Sequence, residues 1–404
     1  MRRRIAVLGV GHVGLTTAAC FADLGHDVLG IDVDETRVEE LRSARVSFFE
    51  GGLPELVAAG LRNGRLRFAS SLEAGLDAAG QGPPEILFVC TPTPLRDGRL
   101  DTTITRAAIE AARRHLSPQT VVVVKSTVPI GFTASISPTA VSNPEFLRAG
   151  SGPFDFMHPD RIVVGATDPG AGDIVAGLYE GLGPIVRTDP SSSELAKLAA
   201  NSFLAVKASF INELATVAEA HHADVTDVAR IIGMDARIGP SYLQVGPGWG
   251  GPCLPKDSAE LAAVGMTIVG DARWLNDAQT DRIVAKVMDA CDGMVSGAKI
   301  AVWGLAFKPG SDDVLESPAM RVVRSLRRAG AIVTAFDPFA KDAETDMVDT
   351  PLVACEGADV LVIFDDQDIP AAAIPVRNVV DARNSRPLAE WQAAGMRTWG
   401  VGRT

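Results

Sequence analysis

Residues 246–257, with the sequence GPGWGGPCLPKD, place a single thiol beside charged side chains. Cys253 follows four glycines, and Lys256 and Asp257 come within four residues after it. Glycine lets a backbone approach a ligand closely, and a thiolate beside a cation is a strong nucleophile. Pro255 predicts an irregular loop here rather than a helix. The stretch therefore indicates a nucleophilic cysteine, with a buried structural cysteine in a glycine-rich turn as the alternative.

A long helix is predicted upstream of this loop. Residues 194–221 are rich in Ala and Leu and contain no Pro or Gly, and as a helix they would span roughly 40 Å. Lys197 and Asn201 are four residues apart and so share a face. Lys197 is either a surface amine with a buried stem or a desolvated catalytic cation. A helix of this length and apolar character suits a bridge between domains or the core of a dimer.

The start of the chain has the pattern of a dinucleotide-binding fold. A short apolar strand runs into GVGHVG at residues 9–14, a helix of small residues follows, and a second strand ends at Asp32. The glycines allow a tight turn and bring a pyrophosphate close to a helix N-terminus. A carboxylate at Asp32 binds ribose hydroxyls and repels a 2′-phosphate, which predicts NAD rather than NADP. The alternative is a glycine turn kept only for packing.

Further strands are predicted at residues 85–90, 121–125, 140–142 and 162–165, with helical patterns between them. This alternation favours a mostly parallel sheet covered by helices. Two strands end in the polar turns TPTP and STVP, and ligands of such sheets bind beyond the carboxyl ends of strands. Each turn could equally be a loop stopped by proline, and Glu145 could be a site acid or a solvated loop acid.

A second alternating region begins near residue 299. Its strands are predicted at residues 300–305, 332–336, 360–364 and 379–381, without a dinucleotide glycine pattern. Lys308 and Arg383 follow strand ends, where such folds bind anions. Each could instead be a solvated surface cation.

The composition disfavours several classes of function. The chain has 404 residues and a formal net charge of −12, which disfavours nucleic acid as a partner. Its five cysteines are scattered, so neither a disulfide framework nor a zinc site is indicated. Three arginines precede the first apolar run, but that run contains the glycine pattern and is interpreted as a strand, not a signal peptide. We predict a cytoplasmic protein with no membrane span and no metal.

These segments resemble the UDP-glucose dehydrogenase family of nucleotide-sugar dehydrogenases over nearly the whole chain. The motifs that carry the resemblance are GVGHVG (9–14), FVCTPTP (88–94), KSTVP (125–129), SNPEFL (142–147), HPDRI (158–162), ELAKLAAN (194–201), GWGGPCLPKD (248–257) and AFK (306–308). The resemblance implies an α/β protein with an N-terminal Rossmann-like NAD domain, a central long-helix dimerisation domain and a C-terminal Rossmann-like UDP-sugar domain. We predict these at residues 1–187, 188–293 and 294–404, with homodimers formed through the central helix.

The resemblance also implies a four-electron oxidation of a UDP-sugar C6 alcohol to a carboxylate, with NAD as cofactor. Cys253 would attack the intermediate aldehyde to give a thiohemiacetal, and a second hydride loss would give a thioester that water hydrolyses. Lys197, assisted by Asn201, would stabilise the oxyanion. The side chains implied to position water and relay protons are Asp257, Glu145 and Thr127.

The binding residues implied by the resemblance form two sets. Those for the cofactor are Gly9, Gly11, His12, Val13, Gly14, Asp32, Arg37, Cys90, Thr91, Pro92, Thr93, Ser126 and Thr127. Those for the substrate are Glu145, Phe146, Leu147, Lys197, Asn201, Arg237, Tyr242, Gly248, Gly250, Lys308 and Arg383. Arg237 would reach across the dimer.

Three features depart from the family pattern. Ala149 stands where the family usually carries Glu, and Leu315 where it usually carries Arg. We expect these two to face each other beside the cofactor, and their loss to weaken or rearrange NAD binding. The connection at residues 131–143 is too short for a full crossover helix, so one sheet face should be less covered. Gln244 replaces a common Lys, which leaves sugar specificity less secure than reaction type.

Three other functions compete with UDP-glucose oxidation. A UDP-N-acetylhexosamine 6-dehydrogenase shares the start of the loop at residues 246–253, called the cysteine loop here, but usually lacks NPEFL and CLPKD. A two-electron hydroxyacid dehydrogenase needs no cysteine, so Cys253 argues against it. A catalytically silent binding protein would have no need of Cys253, Lys197 and Asp257 together.

Overall fold

The computed structural model describes residues 2–80, 82–342 and 344–403. Within it the chain forms two compact units, residues 1–199 and 200–404. The boundary falls inside the long helix α9, Pro190–Ala220, which at 1.5 Å per residue is roughly 46 Å long. The predicted helix at residues 194–221 is therefore confirmed and begins one turn earlier. The predicted three-domain boundaries stay a prediction.

The first unit alternates strands and helices along most of its length. Its strands are β1 Arg4–Leu8, β2 Asp27–Ile31, β3 Leu66–Ala69, β4 Ile86–Val89, β5 Leu95–Arg96, β6 Arg99–Leu100, β7 Val121–Val124, β8 Val141–Ser142, β9 Ile162–Ala166 and β10 Ile185–Thr188. Its helices, before α9, are α1 His12–Asp23, α2 Glu35–Arg42, α3 Leu53–Arg62, α4 Leu72–Ala79, α5 Thr103–Arg113, α6 Phe132–Ile136, α7 Gly152–Met157 and α8 Pro169–Gly177.

Among the described residues, eight of these strands form one sheet in the order β10-β9-β8-β7-β4-β1-β2-β3. All neighbours are parallel except β8 and β9. The central strands are apolar runs, such as Val121–Val124, because both faces are covered. One face packs on α1, whose small residues allow close approach, and the other packs on Ile109 and Phe132. The α/β class is confirmed, while β3 and β10 were not predicted.

The short connection between β7 and β8 contains the five-residue helix α6. Phe132 from this helix is buried with Val124 against the sheet. The connection therefore has about one turn of helix, as its predicted shortness requires, and not a full crossover helix.

The second unit combines helices with a smaller sheet. Its helices are α10 Val225–Gly233, α11 Leu254–Ala263, α12 Thr267–Ala290, α13 Pro318–Arg328, α14 Pro351–Ala354 and α15 Leu388–Ala393, with a 3-10 helix at Ala371–Ala373. Its strands are β11 Lys299–Trp303, β12 Ile332–Phe336, β13 Asp346–Met347, β14 Val360–Ile363, β15 Asn378–Asp381 and β16 Arg397–Gly400. They are parallel in the order β13-β12-β11-β14-β15-β16, which is a doubly wound arrangement. The predicted second Rossmann-like region is confirmed.

Candidate active site

The turn after β1 gives each of its three glycines a different environment. Gly9 has a φ of +82°, and a β-carbon added there would lie 2.8 Å from the Cys90 carbonyl oxygen. A β-carbon at Gly14 would lie 1.8 Å from the Gly9 carbonyl oxygen, whereas one at Gly11 would meet no protein atom within 4 Å. Packing therefore requires the outer glycines. Gly11 instead leaves open space at the N-terminus of α1, which fits the pyrophosphate of NAD.

Asp32 lies directly after β2 and is buried beside this turn. Its carboxylate accepts hydrogen bonds from the Val10 N–H and from Arg37 Nη1, both at 3.0 Å. The structure thus brings the predicted residues Asp32 and Arg37 together as an ion pair. The carboxylate is oriented by the backbone of the turn, as ribose binding requires.

His12 and Val13 form the first turn of α1. The His12 ring lies on Phe48, with ring centroids 3.8 Å apart. The Val13 carbonyl accepts a hydrogen bond from Thr17 Oγ1 at 2.7 Å. These contacts hold the start of the helix, and direct cofactor contact by either side chain stays a prediction.

Polar side chains after β4 and β7 hydrogen bond with one another. Thr93 Oγ1 donates to the Thr127 carbonyl at 2.6 Å, and Ser126 Oγ donates to the Thr91 carbonyl at 2.7 Å. These strands are neighbours, so four predicted cofactor residues meet at the carboxyl edge of the sheet. Cys90 lies beside them, and burial raises the pKa of its thiol to about 12. Cys90 is therefore a packing residue that stays protonated at neutral pH.

Lys197 and Glu145 form a buried ion pair in the first unit. Lys197 Nζ on α9 lies 2.9 Å from Glu145 Oε1. Burial raises the pKa of Glu145, but the Lys197 charge, the Leu147 N–H and Lys125 outweigh it and hold that pKa below its ordinary value. The Phe146 ring centroid is 5.4 Å from Lys197 Nζ. The sequence allowed Lys197 and Glu145 to be solvated surface groups, but both side chains are buried.

Cys253 is the N-cap residue of α11 and is half-buried. The prediction of an irregular loop through Asp257 is wrong, because the helix begins at Leu254. Pro255 lies in the first helical turn, where a missing N–H costs no hydrogen bond. Since a helix N-terminus carries partial positive charge, it stabilises an anion formed at the Cys253 sulfur.

Asp257 lies one turn after Cys253 and is fully buried. Its Oδ2 accepts a hydrogen bond from Asn201 Nδ2 at 2.6 Å, and its Oδ1 lies 2.7 Å from Lys256 Nζ. Two predicted catalytic residues, Asn201 and Asp257, are therefore in direct contact. The contact between Lys256 and Asp257 was not predicted, because side chains of adjacent residues on a helix do not normally face each other.

The cysteine loop is attached to both long helices of the second unit. Asn276 on α12 accepts from the Trp249 N–H at 2.7 Å and donates to the Trp249 carbonyl at 3.0 Å. Gln279 donates to the Gly246 carbonyl at 2.8 Å, and Asn212 on α9 accepts from the Gly246 N–H at 2.9 Å. Three buried amide side chains thus satisfy the backbone of an irregular segment. Sequence reasoning missed them because each lies in an ordinary helical pattern.

Two glycines predicted to bind substrate have structural reasons of their own. Gly248 has a φ of +113°, and a β-carbon there would lie 2.7 Å from Asn276 Oδ1. A β-carbon at Gly250 would lie 2.0 Å from the Glu316 carbonyl oxygen. The space beside both glycines is filled by the protein itself. Their contact with a substrate stays a prediction.

Lys308 and Arg383 both follow strands of the second sheet. Arg383 Nε donates to the Phe364 carbonyl at 2.5 Å, and burial lowers the pKa of its guanidinium group. Burial, with a second carboxylate nearby, raises the pKa of Asp365 to about 6. Lys308 Nζ lies 5.8 Å from the Phe307 ring centroid. Arg383 is thus integrated into the fold, while four other predicted site residues are exposed: His12, Pro92, Arg237 and Tyr242.

Comparison with known proteins identifies the family. Residues 3–183 match the model of the UDP-glucose/GDP-mannose dehydrogenase family NAD binding domain, residues 191–280 its central domain, and residues 301–386 its UDP binding domain. The chain belongs to the UDP-glucose/GDP-mannose dehydrogenase family. This confirms the resemblance predicted from the motifs and the N-terminal NAD domain.

Individual members of the UDP-glucose/GDP-mannose dehydrogenase family match nearly the full chain. A UDP-glucose 6-dehydrogenase of Rhizobium meliloti (strain 1021) is 38% identical over 99% of both chains. A UDP-glucose dehydrogenase structure from Pyrobaculum islandicum is 33% identical, with a TM-score of 0.91, over 100% of this chain and 98% of its own. A UDP-D-ManNAc dehydrogenase structure from Pyrococcus horikoshii is 26% identical, with a TM-score of 0.89, over 100% and 99%.

Ala149 and Leu315, which depart from the family pattern, are each exposed in their own unit. Their predicted pairing stays a prediction.

Among the described residues, no group of three or more His, Cys, Asp or Glu side chains could hold a metal ion. None of the helices in the described ranges has the length and apolar character needed to cross a bilayer.

Proposed function

We propose that this protein is an NAD-dependent UDP-glucose 6-dehydrogenase that oxidises the C6 alcohol of UDP-glucose to the carboxylate of UDP-glucuronate. The observation that carries this proposal is the full-length match to UDP-glucose 6-dehydrogenases, combined with Cys253 at a helix N-terminus. A two-electron dehydrogenase has no step for such a thiol, whereas oxidation of an aldehyde to an acid can proceed through a thioester on it.

The residues of the chain would act in sequence. NAD, when bound, accepts one hydride in each of the two oxidations. The Cys253 thiol adds to the C6 aldehyde, forming a C–S bond while its proton passes to the aldehyde oxygen. That carbon then loses a hydride and its hydroxyl group loses a proton, which leaves a thioester. Water displaces the sulfur to give the carboxylate, a proton and the free thiol.

The two buried polar pairs supply the charges for these steps. Lys197, oriented by Glu145 at 2.9 Å, provides a positive charge for the oxyanion in a dry environment. Asp257, oriented by Asn201 at 2.6 Å, is placed one helical turn from Cys253 to deprotonate water. Thr127, which follows β7, would help to position water and relay protons.

A panel of nucleotide sugars tests the proposal. The purified protein is incubated with NAD and UDP-glucose, UDP-N-acetylmannosamine, UDP-N-acetylgalactosamine or GDP-mannose, and NADH formation is measured against sugar consumed. We expect UDP-glucose to be the preferred substrate, with two NADH formed per sugar. One NADH per sugar would contradict the four-electron reaction. Preference for an N-acetylhexosamine would instead support the alternative suggested by the Pyrococcus horikoshii structure.

The same assay with Cys253→Ser tests the nucleophile. The variant should stop after the first oxidation, since a hydroxyl group is a weaker nucleophile than a thiolate. Cys291→Ser is the matched control, because Cys291 is a half-buried thiol at the end of α12. Unchanged steady-state NADH production by Cys253→Ser would rule out its nucleophilic role.

We also propose that a second copy of the chain covers the long helix α9. Phe203, Phe210 and Val217 are 65%, 51% and 51% exposed. Their spacing of seven residues puts them on one face of the helix. Exposed apolar residues in a row mark an interaction surface, and a homodimer through this helix is what the sequence resemblance implies.

The cytoplasm is the proposed location. All five cysteines are free, which suits a reducing compartment. UDP-sugars and NAD would be its small-molecule partners, and nucleic acid is not expected for a chain with net charge −12.

A further inference from the structure

A second buried amine lies behind the Lys197–Glu145 pair. Lys125 follows β7 and is buried. Its Nζ lies 3.3 Å from Asn143 Oδ1, 3.5 Å from the Asn143 carbonyl and 3.4 Å from the Tyr179 hydroxyl. The ring centroids of Phe156 and Tyr179 are 5.9 Å and 5.8 Å away. All of these hydrogen-bond partners, among the described residues, are neutral oxygens.

A charged amine in this position is costly for the fold. Removing an ammonium group from water without a carboxylate partner is unfavourable, and burial lowers the pKa of Lys125 to about 8. Lysine is rarely buried unless it is paired. Perturbed buried groups of this kind concentrate at functional sites, so the position calls for a reason beyond packing.

The contacts of Lys125 lead directly to Glu145. Asn143, which accepts from Lys125, is joined to Glu145 through Pro144. Asn143 is held further by the Tyr179 hydroxyl at 2.6 Å and by its own donation to the Val163 carbonyl at 2.8 Å. The segment that carries the Glu145 carboxylate is therefore attached at its base to a buried cation.

Glu145 also experiences the charge of Lys125. Burial raises the pKa of this carboxyl group, and Lys197 and Lys125 both act in the opposite direction. Two buried ammonium groups therefore share one buried carboxylate, and only Lys197 hydrogen bonds to it.

We propose that Lys125 is a positioning residue for Glu145: it fixes the segment that carries this carboxylate and, as a second buried positive charge, keeps it ionised as the acceptor for Lys197. The inference rests on the proposed function only for the catalytic role of Lys197. The ionisation of Glu145 can be measured whether or not the protein turns over.

Other groups around Lys125 do not change charge near neutral pH. Burial raises the pKa of Cys20 on α1 and of Cys90 after β4 to about 12 in each case. Burial also raises the pKa of Tyr179 well above its ordinary value. Lys125, Glu145 and Lys197 are therefore the groups whose ionisation decides the charge of this cluster.

The test measures Glu145 directly. Protein carrying 13C at the glutamate carboxyl carbons is titrated by NMR, and the Glu145 signal is assigned by its loss in Glu145→Gln. Lys125→Gln removes the charge but can still hydrogen bond to Asn143, whereas Lys125→Arg keeps the charge. Tyr179→Phe removes a hydrogen bond to Asn143 without changing charge and is the matched control.

We expect the titration midpoint of Glu145 to rise by about one pH unit or more in Lys125→Gln, which is a tenfold change in its protonation equilibrium. Lys125→Arg and Tyr179→Phe should leave it near the wild-type value. An unchanged midpoint in folded Lys125→Gln overturns the proposal. In the wild-type protein, the Glu145 signal should show a second inflection near pH 8 as Lys125 loses its proton, and its absence would contradict the proposal without any variant.

Turnover gives an independent readout. Glu145 acts as an ionised acceptor, so activity is lost as pH falls through its pKa, and raising that pKa moves the acid limb of kcat to higher pH. Lys125→Gln should shift this limb, whereas a merely structural defect would lower kcat by the same factor at every pH. If no sugar is oxidised, the proposed function fails and the NMR result still decides the role of Lys125.

Discussion

The charged side chains of the candidate site are held in pairs that the fold keeps away from water. Lys197 and Glu145 are one pair in the first unit, and Asp257 is held by Asn201 and Lys256 in the second. Such groups are strong electrostatic elements only because they are desolvated, and each needs a partner to remain charged. The proposed chemistry at residue scale therefore depends on these partners as much as on the residues proposed to be catalytic.

The three glycines of the first turn allow a prediction at this scale. Gly11→Ala adds a methyl group where no protein atom lies within 4 Å, so the fold should be unaffected. The methyl group would occupy the approach path of the pyrophosphate, and we expect the Kd for NAD to rise by about tenfold or more, or about 1.4 kcal/mol. Isothermal titration calorimetry and a thermal melt measure the two effects.

Gly14→Ala is the contrasting variant. Its β-carbon would lie 1.8 Å from the Gly9 carbonyl oxygen, so it should lower Tm as well as NAD affinity. Equal melting temperatures for the two variants, or normal NAD binding by Gly11→Ala, would contradict the assignment of open space to the cofactor.

Residue types and motifs predict roles for Cys253, Lys197, Asp257 and the dinucleotide glycines, because each belongs to a recognisable pattern. Lys125 also lay in a motif, KSTVP, but nothing in one sequence shows that a lysine after a strand points inward. Partner choice depends on tertiary packing, which brings Asn143 and Tyr179 together from positions 36 residues apart. Local sequence patterns do not predict contacts between residues so far apart in the chain, so the surroundings of Lys125 could not be predicted.

At the scale of elements, the cysteine loop lies between α10 and α11 and is held in place by hydrogen bonds from two other helices. Its backbone is satisfied by amides from α9 and α12, so it does not depend on a ligand for its shape. Pro255 in the sequence predicts a break, yet proline is tolerated in a first helical turn. Proline disfavours the interior of a helix, but Pro255 is the second residue of α11 and therefore does not prevent that helix from forming.

The glycine contacts of this loop give a prediction at the element scale. Gly250→Ala would place a β-carbon 2.0 Å from the Glu316 carbonyl oxygen, so the loop must move and Cys253 with it. We expect a loss of about 1–3 kcal/mol in the free energy of unfolding and a lower kcat. Urea denaturation and steady-state kinetics measure both.

Gly270→Ala is the control for that experiment. Gly270 lies in α12, and an added β-carbon there meets no atom within 4 Å. Alanine in a helix is favoured by up to about 1 kcal/mol over glycine, so this variant should be as stable as the wild type or more so. A Gly250→Ala protein with unchanged stability would show that the loop has more freedom than its contacts indicate.

At the scale of the whole molecule, the first strand of each large sheet, β1 or β11, is followed by a similar glycine turn, but the segments after these turns differ. Gly9 after β1 and Gly304 after β11 have φ values of +82° and +88°, and each N–H donates to the end of the neighbouring strand at 2.8 Å. After Gly9 a helix starts at once, whereas after Gly304 the next helix begins only at Pro318. The described residues between β11 and α13 form no helix, so no helix N-terminus directly follows β11 to bind a pyrophosphate. Asp337 instead accepts hydrogen bonds from the Leu305 and Ala306 N–H groups.

The class of the elements followed from apolar runs and glycine signals, so the α/β architecture was predictable. Strand order was not, because it depends on contacts between segments far apart in the chain. The edge strand β10 has exposed residues in its centre and so carries little hydrophobic signal. The extent of helix α6 likewise depends on how the sheet face is covered.

The proposed homodimer gives the prediction at this scale. Phe203→Asp/Phe210→Asp puts two charges into the exposed apolar row of α9, where burial against a second copy would leave them unpaired. We expect sedimentation velocity to show a dimer for the wild-type protein and a monomer for this variant at the same concentration. Met294→Asp is the control, because Met294 is 79% exposed and lies outside the row, and it should remain dimeric. A wild-type protein that is monomeric at all concentrations, or a double variant that still dimerises, would show that α9 is not the interface.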